Sequence, residues 1–195
     1  MYDDTVHHAE NNSATLSFPH PRSLKIEPEI VFGLKQPVKS YGPNVADAAS
    51  ALASVDWLAA GFEIIDCPFP DWKFTPRDFV AYFGLHVGLA VGERVPITSD
   101  LIPALVENLP RFKVRVSSQG ESVEEGSGKN CLGSPAACLA ELGTAILRRS
   151  PNKPLSSGEL VSSGTLTAGH PAKQGDVWTV EVEGLPLPAL TLKIA

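Results

Sequence analysis

The sequence predicts one mixed α+β domain in which strands outnumber helices. Its 195 residues are enough for a single domain with its own hydrophobic core. The 17 prolines and 16 glycines are many for a helical bundle and favour short elements joined by turns. Short apolar segments alternate with these turns, and the clearest helical pattern is confined to one segment near residue 140.

The first third of the chain predicts a tail, a strand and a helix. Residues 1–21 are polar and end in a proline-rich stretch, so we expect a tail, or the remnant of an N-terminal segment, ahead of a domain at 22–195. Lys25–Leu34 carries β-branched residues around two glutamates, which predicts a strand. Small apolar residues at helical spacing predict a helix over 44–60.

The middle of the chain predicts a strand, an ambiguous segment and a hairpin. Phe62–Cys67 is strongly apolar and reads as a strand, whereas the segment 78–91 fits either a short helix or a buried strand. Two further segments, Lys113–Ser117 and Glu121–Glu125, flank Gln119-Gly120 and predict a hairpin.

The last third predicts the best helix of the chain and then short strands. Ser134–Arg149 has a proline at its first turn, apolar residues at helical spacing and two arginines at its end. Three β-type segments separated by turns follow, at Glu159–Ser162, Asp176–Glu183 and Leu190–Ile194.

Charge and composition exclude several classes of protein. The formal net charge of −6 and the scattered basic residues argue against a nucleic-acid partner, because phosphate contacts need a clustered cationic face. The first residues have neither the basic start nor the apolar core of a secretory signal, so we expect none, and no apolar stretch approaches the length of a membrane span. The three cysteines lack C-x-x-C spacing and predict reduced, mostly buried thiols. We therefore expect a cytoplasmic protein with no membrane partner.

Three glutamates inside apolar strands are the most informative feature. Glu27 and Glu29 lie two residues apart, so a strand directs both side chains to one face, and Glu63 lies in a second apolar strand. Carboxylates without a neighbouring Cys or His pair suit a hard cation such as Mg²⁺ or Mn²⁺. The alternative is a solvated edge strand, which Pro28 allows. Spacing alone leaves both interpretations open.

Four motifs in a fixed order carry a family resemblance. They are Ile26–Phe32; Phe62–Asp66 with Asp71–Phe74; Gly126–Gly128 with Leu132–Pro135; and Leu155–Ala168 followed by Gly175-Asp176. Together they resemble the fumarylacetoacetate hydrolase superfamily, and more narrowly its branch of 2-oxopent-4-enoate hydratases and 4-oxalocrotonate decarboxylases. The resemblance covers residues 22–195 and implies a strand-rich mixed β-roll with a few helices, as in the fumarylacetoacetase C-terminal domain.

The resemblance also implies a site and an activity. The activity is that of a divalent-metal-dependent lyase, a hydratase or decarboxylase, that acts on a 2-oxo acid or its enol in a homo-oligomer. An acylpyruvate-type C–C hydrolase is the alternative enzyme, and a catalytically silent homologue or partner subunit is the alternative of another class. The implied residues are the Mg²⁺ or Mn²⁺ ligands Glu27, Glu29 and Glu63, the substrate-facing Lys73, and Gly164 and Thr165 along the substrate.

Two departures from the family pattern modify these expectations. Hydratases of this branch often have an Asp-Asn-x-x-Ser stretch where this chain has residues 82–86. His86 either replaces a polar group there as acid or base or is structural, and Phe83 and Leu85 predict a more apolar pocket for a long or aromatic substrate tail. Family members also usually carry a segment ahead of Tyr2, with a site lysine. A shortened gene product, a fragment and a true variant are the alternatives.

Overall fold

A computed structural model describes residues 3–38 and 48–195. Within them lie twelve strands, four α-helices and short 3₁₀ turns, one of which spans Phe83–Leu85. The strands are β1 (Val6–His8), β2 (Ser13–Leu16), β3 (Leu24–Leu34), β4 (Val55–Asp66), β5 (His86–Val91), β6 (Val95–Pro96), β7 (Lys113–Ser118), β8 (Glu121–Ser127), β9 (Leu160–Ser162), β10 (His170–Pro171), β11 (Val177–Glu183) and β12 (Leu190–Ile194). The helices are α1 (Ala48–Leu52), α2 (Pro76–Ala81), α3 (Ile102–Asn108) and α4 (Pro135–Arg149).

The strands form two sheets that share one core. The larger sheet has the order β1-β5-β4-β3-β10, with β6 beside β4 and β9 beside β3, and the smaller has the order β2-β12-β11-β7-β8. Phe32 from the larger sheet, Leu192 from the smaller and Leu139 from α4 belong to the same buried cluster. Burial of this apolar surface is the main force that holds the sheets together.

The antiparallel pair of β3 and β4 is the frame of the candidate site. These strands are the longest in the described chain, and their register places Glu27 opposite Glu63 and Glu29 opposite Gly61. Two carboxylates directly opposite each other on one sheet repel. The pairing is therefore an arrangement that a cation would stabilise.

Most of the predicted strands are confirmed. The strand at Lys25–Leu34, the hairpin around Gln119-Gly120, the helix of α4 and the last three strands all appear within two residues of their predicted bounds. The segment 78–91 contains both structures, since α2 ends at Ala81 and β5 begins at His86. The predicted strand-rich mixed α+β architecture is confirmed.

Two predictions about local structure are wrong. The helix expected over 44–60 is restricted to α1, because the chain pairs with β3 from Val55 onward and this tertiary pairing overrides the helical spacing of its small residues; residues 44–47 lie outside the described chain. Residues 3–21 are not a loose tail, because β1 pairs in parallel with β5 and β2 with β12. The domain boundary at residue 22 stays a prediction.

The helices of the described residues are too short or too polar to cross a membrane. The longest, α4, has 15 residues, whereas a membrane-spanning helix needs about 20.

Candidate metal centre

The three glutamates predicted as metal ligands come together in the structure. Glu27 and Glu29 project from one face of β3, and Glu63 projects from β4 beside them. One carboxylate oxygen from each lies within 4.8 Å of the others. Hard divalent cations such as Mg²⁺ bind oxygen ligands of this kind, so the donor set fits such an ion.

Glu29 is the most buried member of the cluster, with 2% of its surface exposed. Its Oε2 accepts a hydrogen bond from the Ser162 hydroxyl and another, of 2.9 Å, from the Gly164 backbone N–H. Gly164 has φ of 93°, a conformation that favours glycine. The end of β9 and the residues that follow it therefore fix the position of the Glu29 carboxylate.

Two of these carboxyl groups have raised pKa values. Burial raises the pKa of Glu29 well above its ordinary value, the Glu63 charge raises it further, and the bonds from Ser162 and Gly164 oppose this effect only in part. Burial and Glu63 also raise the pKa of Glu27, with Lys25 acting in the opposite direction. Both shifts arise because negative charge is concentrated in a place that water reaches poorly.

Glu63 is oriented by a short chain of hydrogen bonds. The Nδ1 of His86 lies 2.7 Å from Glu63 Oε1, and the Nε2 of the same ring lies 2.9 Å from the Thr5 hydroxyl. His86, at the start of β5, has 10% of its side chain exposed and is not among the residues that line the cleft. His86 therefore contacts the cluster through Glu63, and its role as acid or base stays a prediction.

The carboxylates open into a cleft of about 420 Å³. One wall carries apolar groups, and two glycines allow the chain to approach the glutamates closely. The lining residues that matter for the chemistry are Lys25, Trp72, Phe74, Phe79, Leu85, Gly164, Thr165 and Gly169, together with the three glutamates. Such a cleft combines polar groups at one place with an apolar wall, which is typical of a small-molecule site.

The remaining predicted residues divide between cleft and surface. Gly164, Thr165 and Leu85 line the cleft. Lys73 is not brought to it, because its side chain is 81% exposed and its Nζ lies 3.3 Å from Asp71 Oδ2. Phe83 is 70% exposed and also lies outside the lining.

Lys25 and Trp72 are among the cleft residues that the sequence did not predict. Lys25 continues the alternation of Glu27 and Glu29 on β3, so strand periodicity alone could have placed it on the same face. Trp72 reaches the cleft from a turn whose backbone has positive φ. The sequence carries no signal for that conformation.

A buried thiol supports the segment that holds Glu29. Cys131 Sγ donates a hydrogen bond of 2.6 Å to the carbonyl oxygen of Ser163, the residue before Gly164. Burial raises the pKa of the Cys131 thiol to about 12. The group therefore remains a protonated donor, as the sequence predicts for a structural cysteine.

Comparison with known proteins places the fold in a family. Residues 11–192 match the sequence profile of the fumarylacetoacetate (FAA) hydrolase C-terminal family. The chain belongs to this family. The FAA hydrolase resemblance inferred from the four motifs is thus confirmed, and the predicted fold class with it.

Relatives of this FAA hydrolase-type chain include proteins named as decarboxylases and proteins named as hydratases. A 4-oxalocrotonate decarboxylase from Pseudomonas sp. (strain CF600) is 31% identical over 85% of this chain and 58% of its own length. A 2-hydroxyhexa-2,4-dienoate hydratase from Comamonas testosteroni is 28% identical over 93% of this chain and 65% of its own. The chain therefore spans about three fifths of the length of these curated relatives.

A solved structure has a similar fold. The 4-oxalocrotonate decarboxylase from Pseudomonas putida G7, complexed with magnesium and adipate, gives a TM-score of 0.81 at 25% identity, over 99% of this chain and 67% of its own. The fumarylpyruvate hydrolase from Pseudomonas aeruginosa, in complex with Mn²⁺ and pyruvate, gives 0.68 at 16% identity, over 97% of this chain and 73% of its own. This second likeness concerns the fold alone.

Proposed function

We propose that this FAA hydrolase-type chain is a divalent-metal-dependent lyase for a 2-oxo acid or its enol. The observation that carries the proposal is the cluster of Glu27, Glu29 and Glu63, whose oxygens lie within 4.8 Å of one another at a cleft. The decarboxylase and hydratase names of the relatives, and the magnesium complex of the similar structure, support the same chemistry.

In this proposal the three glutamates hold Mg²⁺ or Mn²⁺, which supplies Lewis-acid stabilisation of negative charge on a 2-oxo acid. Glu29 is kept in place by Ser162 and Gly164. His86 orients Glu63 from behind, so the ligands are set before substrate arrives. Gly164 and Thr165 line the cleft, and in this proposal the substrate lies along them.

The apolar wall of the cleft favours a particular kind of substrate tail. Phe74, Phe79 and Leu85 line the cleft, and such a wall excludes water from the substrate better than a polar one. We therefore propose a 2-oxo acid with a long or aromatic tail. A hydratase adds water to the conjugated chain of the enol form, whereas a decarboxylase releases carbon dioxide. The acylpyruvate-type hydrolase and the silent homologue remain the alternatives.

Titration calorimetry with Mn²⁺ tests the metal site. We expect one site in the wild type and none in Glu29→Ala, because Glu29 is the most enclosed ligand. Glu121→Ala, on an exposed end of β8, is the matched control and keeps wild-type binding. Equal binding by wild type and Glu29→Ala refutes the metal assignment.

Product analysis tests the reaction. The Mn²⁺-loaded protein is incubated with short and long 2-oxo acids and their enols, and products are identified by mass spectrometry. A gain of water or a loss of carbon dioxide supports a lyase, and cleavage into two acids supports the hydrolase. Metal binding without any turnover supports the silent homologue. The cytoplasmic location, the homo-oligomer and the lack of a nucleic-acid partner stay predictions.

A further inference from the structure

We propose that Lys25, held against the ring of Trp72, binds the carboxylate of the substrate in this cleft. The proposal rests on the proposed function and names the cationic partner that a 2-oxo acid requires there. Lys25 thus takes the substrate-facing role that the sequence resemblance implies for Lys73.

The position of Lys25 follows from the strand that carries the metal ligands. Lys25, Glu27 and Glu29 alternate along β3, so all three side chains project from the same face. Lys25 is half-buried and lines the cleft with the glutamates. Its charge acts on Glu27, where it opposes the effect of burial.

The ammonium group is held by an aromatic ring. Lys25 Nζ lies 3.9 Å from the centroid of the Trp72 ring, within the range of a cation–π contact. The ring is itself fixed, because its Nε1 donates a hydrogen bond of 2.8 Å to the Ser23 hydroxyl. Lys25 therefore faces the cleft with little of the rotational freedom that an exposed lysine has.

The backbone beside Trp72 indicates that the ring's position matters. Asp71 and Trp72 have φ of 54° and 56°, in the left-handed region that bulky residues rarely adopt. Such a conformation is strained and persists where the surrounding structure requires it. Here it turns an aromatic side chain towards the cleft and leaves Lys73 and Asp71 paired at the surface.

Charge counting supports a cation at this place. Three carboxylates and one divalent ion leave a net charge of about −1, and a bound carboxylate makes this about −2. Among the cleft-lining residues of the described chain, Lys25 is the cationic side chain. Gly169 leaves room for it, since a Cβ there would lie 3.4 Å from Lys25 Cδ.

The test measures binding of oxalate, a planar anion that chelates a metal as the enolate of a 2-oxo acid does. Oxalate is titrated into the Mn²⁺-loaded protein, and Mn²⁺ affinity is measured separately. Lys25→Met is expected to weaken oxalate binding about 10- to 100-fold, the range for a lost charge-assisted hydrogen bond. Its Mn²⁺ affinity is expected to stay the same or increase, because a positive charge beside Glu27 has been removed.

Three further variants sharpen the result. Lys25→Arg keeps the charge and should recover part of the oxalate affinity. Lys73→Met tests whether Lys73 binds the carboxylate instead. Lys193→Met, on the exposed face of β12, is the matched control. A purely structural role for Lys25 predicts that oxalate and Mn²⁺ affinity fall together, which overturns the proposal. So does wild-type oxalate binding in Lys25→Met, or a loss in Lys73→Met instead. Oxalate binding that depends on Lys25, without turnover of any 2-oxo acid, supports this proposal and refutes the lyase function.

Discussion

Replacing Glu29 by Gln is expected to stabilise the metal-free protein and to reduce its stabilisation by metal. The change keeps the size of the side chain and an acceptor for the Ser162 and Gly164 donors, but it removes one negative charge from the cluster. In the metal-free protein that charge is both buried and close to Glu63. Burying a charge without a partner opposes folding.

The magnitude follows from the spacing of the cluster. Two unit charges at 4.8 Å repel by about 3.5 kcal/mol at an effective dielectric constant of about 20. Water screens the half-exposed Glu27 and Glu63, and proton uptake by Glu29 relieves part of the repulsion, so we expect a net gain of about 1–3 kcal/mol in the free energy of unfolding. Mg²⁺ at 100 times its Kd should stabilise the wild type by about 2.7 kcal/mol and the variant much less.

The pH dependence has a definite sign. The pKa of Glu29 is raised in the folded protein, so its contribution to stability is complete below the unfolded value and is lost as pH rises through the folded one. Wild type and Glu29→Gln should therefore be similar near pH 5, and the variant should become the more stable protein towards about pH 8.

Urea unfolding with a chelator at several pH values measures this difference, with Glu121→Gln as the control for loss of an exposed charge. A Glu29→Gln protein that is no more stable than the wild type at about pH 8 without metal would refute the electrostatic reasoning.

Two other variants probe the positioning of the ligands. His86→Ala should raise the Kd for Mn²⁺ about 10- to 100-fold in calorimetry, because Glu63 loses the ring that orients it. A loss of turnover at saturating Mn²⁺ with an unchanged Kd would instead indicate that His86 acts directly as an acid or base. Gly169→Ala should also weaken Mn²⁺ binding, because its Cβ would come within 2.9 Å of Glu27 Oε1 and displace that ligand; an unchanged Kd would show that Glu27 moves without cost.

The shared face of Glu27 and Glu29 could be predicted from the sequence because strand alternation is local, whereas their role as metal ligands stays a prediction. Successive side chains of a strand point to opposite faces of the sheet, whatever the strand packs against. Glu27 and Glu29, two residues apart, therefore lie on the same face. The family motifs added Glu63 from the neighbouring strand. Short strands such as β1 and β2 were missed because parallel pairing with distant partners, rather than their own composition, makes them strands.

The side chains that line the cleft were harder to predict, because the geometry of loops decides which of them reach it. The resemblance assigned Lys73 to the substrate. In the structure, the positive φ values of Asp71 and Trp72 direct the Trp72 ring to the cleft, and Lys73 is not among the lining residues. The sequence left His86 between a chemical and a structural role, and it carried no signal for the contact of His86 with Glu63. Phe83 was expected in the pocket wall with Leu85, but the 3₁₀ turn exposes Phe83 and buries Leu85.

The hydrogen bonds around the carboxylates have a consequence for how the chain folds. The bond from Ser162 to Glu29 spans 133 residues and the contact of Thr5 with His86 spans 81. Contacts between such distant positions form late, because closing a long loop costs entropy before any contact repays it. In a partly folded chain the three glutamates would lie together before the bond from Ser162 and the contact of Thr5 with His86 have formed. The rate at which Mn²⁺ binding appears during refolding should therefore follow the completion of both sheets rather than the pairing of β3 with β4.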